Sequence, residues 1–388
     1  MPIINRIADF HDEITGWRRD LHQHPELQYD LPRTARTVAE LLTGFGCDEV
    51  VQGLGKTGVV AVIHGRHNKS GKVIGLRADM DALPIVEASG KPYASKTSGR
   101  MHACGHDGHT AMLLGAARYL AETRNFDGTA VLIFQPAEEG GAGAKAMIDD
   151  GLLDRFGIQE VFGMHNFPGL PLGDFAIRHG ALMAATDEFS IVCEGYGAHA
   201  ARPNLSVDPV LMGAAIVQNL QSIAARNVDP LESVVVSVTV FQAGKAFNVI
   251  PQTAELRGTI RSLTAEVRTL AEKRLRIIVE NTAAAFGGTA KIKFHRGYPV
   301  TANNPEKADF AAGIAAQIVG QSRVNTNVAP IMGGEDFSYM LEQRPGAFIF
   351  VGIGPGAGLH HPEYDFNDEV IPVGVSYWAR LVETAMAA

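Results

Sequence analysis

Glu138 and Glu139 stand side by side after the apolar run Thr129-Ala-Val-Leu-Ile-Phe134 and the link Gln135-Pro-Ala, with glycines behind them. Adjacent carboxylates of this kind can divide two tasks. One ligates a divalent cation, and the other takes a proton from the water that the cation activates. Softer donors lie in Met101-His102-Ala-Cys104-Gly-His106-Asp107-Gly-His109, in His165-Asn166 and in Leu359-His360-His361-Pro. Thiolate, imidazole and carboxylate together form the donor set of zinc or another borderline divalent metal. A further cluster, Arg77-Ala-Asp79-Met-Asp81, adds carboxylates after another apolar run. Singly, each has an ordinary explanation: a solvated helix start, a chance Cys-x-His, a satisfied core histidine. Their coincidence in one chain points to metal-assisted chemistry.

The elements that must position these groups follow from hydrophobic patterning. Residues 58–63, 73–76, 129–134 and 161–164 read as strands, with helices at 34–42 and 110–123 between them. Runs apolar on both faces and separated by helices predict a largely parallel α/β sheet covered on each side. In such sheets ligands collect beyond the carboxyl ends of the strands, and the polar clusters follow the strands directly. The pattern changes near Asp187. From there the sequence predicts strand 188–193, helix 209–224, strands 233–241 and 253–261, helix 266–286 and strand 290–294. That is the βαββαβ order of ferredoxin-like domains. A helix at 305–319, a strand at 348–352 and a helix from Val373 then resume the α/β style. The expected organisation is one α/β domain, residues 1–186 and 299–388, interrupted by a smaller domain at 187–298.

Composition excludes other roles. The chain has 388 residues, 46% hydrophobic and 20% charged, which suits a globular enzyme of two domains. Its formal charge of −8 argues against a nucleic-acid surface. No apolar run approaches the ~20 residues that span a bilayer, and the opening to Asp20 does not resemble a signal peptide. Three cysteines, Cys47, Cys104 and Cys193, are too few for a disulfide framework. The expectation is a soluble cytoplasmic protein. Gly140-Gly-Ala-Gly143 lacks the lysine and spacing of a phosphate loop.

Taken in order, MHACGHDGHT, FQPAEEGGAGAK, GMHN, GAHAARP, FNVIP, GTIR, MGGEDFS and LHHPEYDFND resemble the co-catalytic-metal aminoacylase and carboxypeptidase family. The branch is that of hippurate hydrolase, N-acyl-amino-acid amidohydrolases and plant auxin–amino-acid conjugate hydrolases. The resemblance runs from about Trp17 nearly to the end. It implies a zinc-peptidase-like α/β catalytic domain with an inserted lid that dimerises. It implies two divalent ions per subunit (zinc, manganese, cobalt or nickel), held by Cys104, His106, Glu139, His165 and His360, with Glu138 as base. His360 is preferred to its neighbour His361 because the family's histidine follows the leucine directly. Peptidase branches of the family carry His-x-Asp where this chain has Asp79-Met-Asp81. Asp81 then orients a ligand, the alternative being direct coordination by Asp79 or Asp81. Asp107 and His109 are placed around the ligands in the same way, as is His102, while His22 and His24 are read as structural.

The resemblance also puts the lid's His199 at the developing oxyanion, where such a donor contributes a factor of about 10²–10³. That histidine usually serves the partner subunit's site. Asn248 and Arg261 fall on the positions that bind the product's α-carboxylate, with Arg257 a competitor on the same strand face. The implied activity is hydrolysis of N-acetyl or N-benzoyl amino acids by a homodimer or higher homo-oligomer. Alternatives with the same metal core are a dipeptidase and an N-acyl-diaminopimelate deacylase. A catalytically silent binder is the remote one, since no ligand or base position is lost.

Overall fold

In the computed structural model, residues 3–388 are described, and the doubly apolar runs of the N-terminal half become buried strands. They are β1 (Glu49–Leu54), β2 (Gly58–His64), β3 (Val73–Asp79), β4 (Thr129–Gln135) and β5 (Glu160–Phe167), joined much later by β6 (Gly346–Gly352). Their order is β1-β2-β4-β3-β5-β6, extended at the β6 edge by the two-residue strands Phe175–Ala176 and Val324–Asn325. The central four, β4, β3, β5 and β6, are mutually parallel. β2 runs antiparallel to both β1 and β4, so the sheet is parallel only at its centre. The reason is local: β1 and β2 are joined by Gly55-Lys56-Thr57, and so short a link permits only an antiparallel pair. β1 was not expected as a strand, because its Glu-Val-Val-Gln-Gly-Leu is a half-polar edge.

Helices Pro32–Gly44, His106–Thr123, Pro305–Val319 and Ile371–Ala385 belong to the same unit. Each start has a visible cause. Pro305–Val319 has Pro at its first turn, and the Asn304 side chain accepts the Lys307 N–H at 3.1 Å. The helix expected from Thr110 begins earlier, at His106, so that His106, Asp107 and His109 lie in its first turn rather than in a loop before it. Its Ala-rich body is buried almost throughout. Phe134, Phe162 and Phe348 are fully buried along the sheet, each contributing about 1.5–3 kcal/mol by the area removed from water.

The second compact unit comprises Met183–Thr301 with Pro330–Glu335. Its antiparallel strands lie in the order Val234–Ala243, Thr253–Ser262, Ala185–Glu194, Thr289–Arg296. Helices Pro209–Leu220 and Ala265–Ala285 complete the βαββαβ order. They cover one sheet face, on which Phe189, Ile191, Cys193, Leu256 and Ile260 are buried with Met212, Ile216, Leu275 and Val279. The first helix ends at Leu220, ahead of the expected Ala224, and a π-turn at Ile223–Asn227 follows. Among the described residues, no helix is long and apolar enough to cross a membrane.

Candidate metal centre

The carboxyl ends of the parallel strands deliver the clusters to one place. β3 ends at Asp79 with Asp81 just beyond, β4 leads through Pro136 and a left-handed Ala137 into Glu138-Glu139, and β5 carries His165. Cys104 sits in the loop before the helix that starts at His106. Gly105 between them has φ +90°, and a Cβ there would lie 2.3 Å from Asn166 Nδ2, so only glycine makes this corner. His360, itself left-handed at φ 65°, comes from the loop after β6 and donates its N–H to the Ala103 carbonyl at 2.7 Å.

Potential ligand atoms fall into overlapping sets, two of which share Cys104. Cys104, His106 and His165 form one and Cys104, Glu139 and His360 another, with all atoms in a set within 4.8 Å. Glu138 stands with His106 and Glu139 in a third. His165 Nε2 is 3.5 Å from Cys104 Sγ. His360 Nε2 is 3.2 Å from Glu139 Oε1, in an orientation that makes no hydrogen bond to it. His361 instead accepts the Glu363 N–H on its Nδ1.

The donor set passes a test of fit to divalent ions. The Nδ1 of His106 donates to the Asp81 carbonyl (2.9 Å) and that of His165 to the Asn166 carbonyl (2.7 Å), which leaves Nε2 of each ring as the atom that would take a cation. His106 Nε2 and Glu139 Oε1 are buried without a hydrogen-bond partner and face each other at 4.0 Å. Two buried polar atoms left so would be costly. A divalent cation in each of the two sets that share Cys104 would give both atoms a partner.

The surrounding groups are engaged differently. Asp81 accepts the Glu138 N–H on one oxygen (2.9 Å) and the Glu139 N–H on the other (3.1 Å), which orients the pair. His109 donates to Asp79 (2.6 Å) and accepts the Asn166 N–H (2.9 Å), so both its nitrogens are used. Asp107 turns away, to His22 Nδ1 at 2.8 Å and Arg18 at 3.5 Å. His102 is buried, and burial pushes its pKa down to about 3. Burial and the Glu139 charge push the Cys104 thiol well above its ordinary value. Burial opposes a charge on His106, but Asp79 and Cys104 outweigh it and raise its pKa. His165 is held neutral by burial and by His109.

Several residues of the site carried no assigned role in the sequence. Asn166 Nδ2 donates to the Cys104 carbonyl (2.6 Å), and Tyr364 donates to Asn166 Oδ1 (2.8 Å). The only signal was their presence inside GMHN and LHHPEYDFND.

Stability is expected to depend on pH through the Arg18–Asp107–His22 group. Burial opposes protonation of His22, but Asp107 and Glu87 raise its pKa from 6.5 to about 9. A raised folded pKa means stability present in full below pH 6.5 and lost as pH rises through about 9. Urea unfolding of the metal-loaded protein should lose on the order of 2–3 kcal/mol across that interval, and His22→Gln should flatten the dependence. An equally steep wild-type and mutant profile would refute this role.

In the second unit, His199 and Asn248 are brought together. His199 pairs with Val249 in a two-residue ribbon, and the Ala200 N–H donates to the Asn248 carbonyl at 2.9 Å. Arg261 lies on strand Thr253–Ser262, half-buried, donating to Thr259 Oγ1 and the Ile260 carbonyl. Arg257 is exposed and paired with Glu255 at 2.7 Å.

Comparison with known proteins places this geometry. The chain is 44% identical to a hippurate hydrolase of Campylobacter jejuni over 381 residues, covering 98% of each chain. It is 41% identical to an N-acetylcysteine deacetylase of Bacillus subtilis, covering 96% of each. Among solved structures, a dinuclear metal-binding peptidase of Bacillus subtilis superposes with a TM-score of 0.85 at 37% identity, over 98% of this chain and 99% of that one. A putative aminohydrolase from methicillin-resistant Staphylococcus aureus gives 0.92 at 32% identity, covering 99% of each. With residues 75–384 matching peptidase family M20/M25/M40, and with clustered Cys, His and Glu donors at the sheet's carboxyl edge, the chain belongs to that family.

Proposed function

We propose that the protein is a metal-dependent amidohydrolase that cleaves N-acyl amino acids of N-acetyl or N-benzoyl type into a carboxylate and a free amino acid. The observation that carries this reading is the pair of donor sets that share Cys104, in which His106 Nε2 and Glu139 Oε1 are buried without a hydrogen bond, beside Glu138. Cys104, His106, Glu139, His165 and His360 would hold two divalent ions, and a thiolate-imidazole-carboxylate set favours zinc, with manganese, cobalt or nickel as alternatives. When bound, these ions supply Lewis-acid polarisation of the amide carbonyl and acidify water. Glu138 takes the proton of the water that adds to the carbonyl carbon, and returns it to the nitrogen as the C–N bond breaks.

His199 is assigned to the oxyanion, reaching from the partner's lid. Its Nδ1 accepts the Ala201 N–H at 3.1 Å, so the neutral ring carries its proton on Nε2, the form that can donate. The dimer reading is supported by the lid's edge strand Val234–Ala243, which bears no charge and leaves Phe241 exposed. A thiol ligand suits a reducing compartment, the cytoplasm.

Arg261 is assigned with Asn248 to the substrate's α-carboxylate. Among the described residues, Arg261 has no carboxylate within ion-pair distance, whereas Arg257 is already neutralised by Glu255. Release of free amino acid from a panel of N-acyl amino acids and their α-amides tests the assignment. Arg261→Ala should raise KM for the free acids about 10–100-fold and barely change it for the amides, as expected for a lost charge-assisted bond. Equal cleavage of acid and amide by the wild type would remove the clamp. Preference for a free α-amino group would favour a dipeptidase instead.

A further inference from the structure

We infer that Asp336 is a positioning residue for catalysis, one carboxylate that holds both ends of the turn bearing Glu138 and Glu139. The inference rests on the proposed roles of those two glutamates. The turn, residues 136–143, is built against local preference. Ala137, Gly140 and Ala142 have φ of 53°, 81° and 56°, and a left-handed alanine costs about 1–2 kcal/mol. The turn closes so tightly that a Cβ on Gly143 would lie 1.6 Å from the Pro136 carbonyl oxygen. A segment like this keeps its shape only if its surroundings over-determine it.

Asp81 fixes the middle of the turn through the Glu138 and Glu139 N–H groups. Gln28 and Tyr29 add contacts: Gln28 Nε2 donates to the Glu139 carbonyl (3.1 Å) and the Tyr29 hydroxyl to the Gly141 carbonyl (2.6 Å). The ends are held by Asp336. Its Oδ2 accepts from Gln135 Nε2 and from the Ala144 N–H, each at 2.9 Å, and Gln135 and Ala144 are the residues that flank the turn. Its Oδ1 accepts from Arg77 Nη2 and from Gln135 Nε2, both at 2.9 Å.

Arg77 balances the buried charge and joins the turn to the rest of the site. It donates to Gln135 Oε1 (2.8 Å) and to Asp79 Oδ2 (2.8 Å), and Asp79 in turn accepts from His109. All these groups are buried. A buried ion pair placed for stability alone has no reason to land on both flanks of the segment that carries a base and a ligand. Only a carboxylate can accept from all these donors. An asparagine of the same shape would turn an NH₂ group against the Gln135 amide and either the Ala144 N–H or the Arg77 guanidinium.

The experiment compares wild type, Asp336→Asn and Gln135→Met. Zinc affinity of each metal-free protein is measured by competition with a chromophoric chelator, alongside kcat, KM and thermal unfolding. Asp336→Asn should weaken zinc binding at the Glu139 site about 10–100-fold, and lower kcat by a similar factor while KM stays within about threefold. Gln135→Met removes the donor on one flank and should move both readouts the same way by less. Folded variants with wild-type zinc affinity and kcat, whatever their melting temperature, would overturn the inference. If Asp336→Asn does not fold, Gln135→Met decides alone by the same criterion. The zinc readout needs no substrate, so a wrong substrate class would appear as an inactive wild type and leave the zinc test of Asp336 intact.

Discussion

Stripping divalent metal with a chelator abolishes turnover of N-acyl amino acids, and adding back zinc, manganese, cobalt or nickel restores it. The expectation follows from the way the centre is built. His106 and His165 spend their Nδ1 protons on backbone carbonyls and turn Nε2 to the cluster, where His165 meets the Cys104 thiol, while His106 Nε2 and Glu139 Oε1 are buried without a hydrogen-bond partner. Such a cluster is balanced only when a cation sits among the donors. Ligands must lose protons to bind, so reloading should weaken as pH falls and should release protons into an unbuffered solution. Activity is assayed on dialysed protein whose metal content has been verified by elemental analysis. Full turnover from a metal-free sample would sink the reading of the centre.

Glu138→Gln lowers kcat by about 10²–10⁴, the range of a lost general base, and leaves the metal content unchanged. Glu139→Gln does the reverse to the metal: it loses affinity for one ion. The two residues are neighbours, held through their N–H groups by the same Asp81 carboxylate. Their side chains nonetheless stand in different company. Glu139 is grouped with Cys104 and His360 as well as with His106, whereas Glu138 shares only the set with His106 and Glu139 among the Cys and His donors. Elemental analysis together with single-turnover rates separates the roles. If Glu138→Gln loses an ion and Glu139→Gln keeps both, the assignments are exchanged.

Much of this was legible in the chain alone because it rests on residue type and short-range period. Alternating or doubly apolar runs located the central strands, and the change of pattern near Asp187 located the βαββαβ segment, to within a few residues at most ends. The clusters that hold Cys104, His106, Glu138, Glu139, His165 and His360 stood out because thiolate, imidazole and carboxylate are chemically conspicuous wherever they stand, and the family resemblance implied which of their members to choose. What escaped depends on which segments meet. The antiparallel course of β2 follows from its hairpin with β1, and a half-polar edge strand has no strong period to reveal it. His106, Asp107 and His109 begin a helix because Gly105 turns the backbone and the ring of His106 finds the Asp81 carbonyl, a partner 25 residues away. Asp81, Asp107 and Asp336 are the same kind of residue, yet one aims the glutamate pair, one binds His22 and Arg18, and one spans the turn from Gln135 to Ala144. Arg77 and Asp336 are 259 positions apart. A carboxylate's identity says that it will accept hydrogen bonds; only the folded backbone, by deciding which donors arrive within 3 Å, says what that acceptance does.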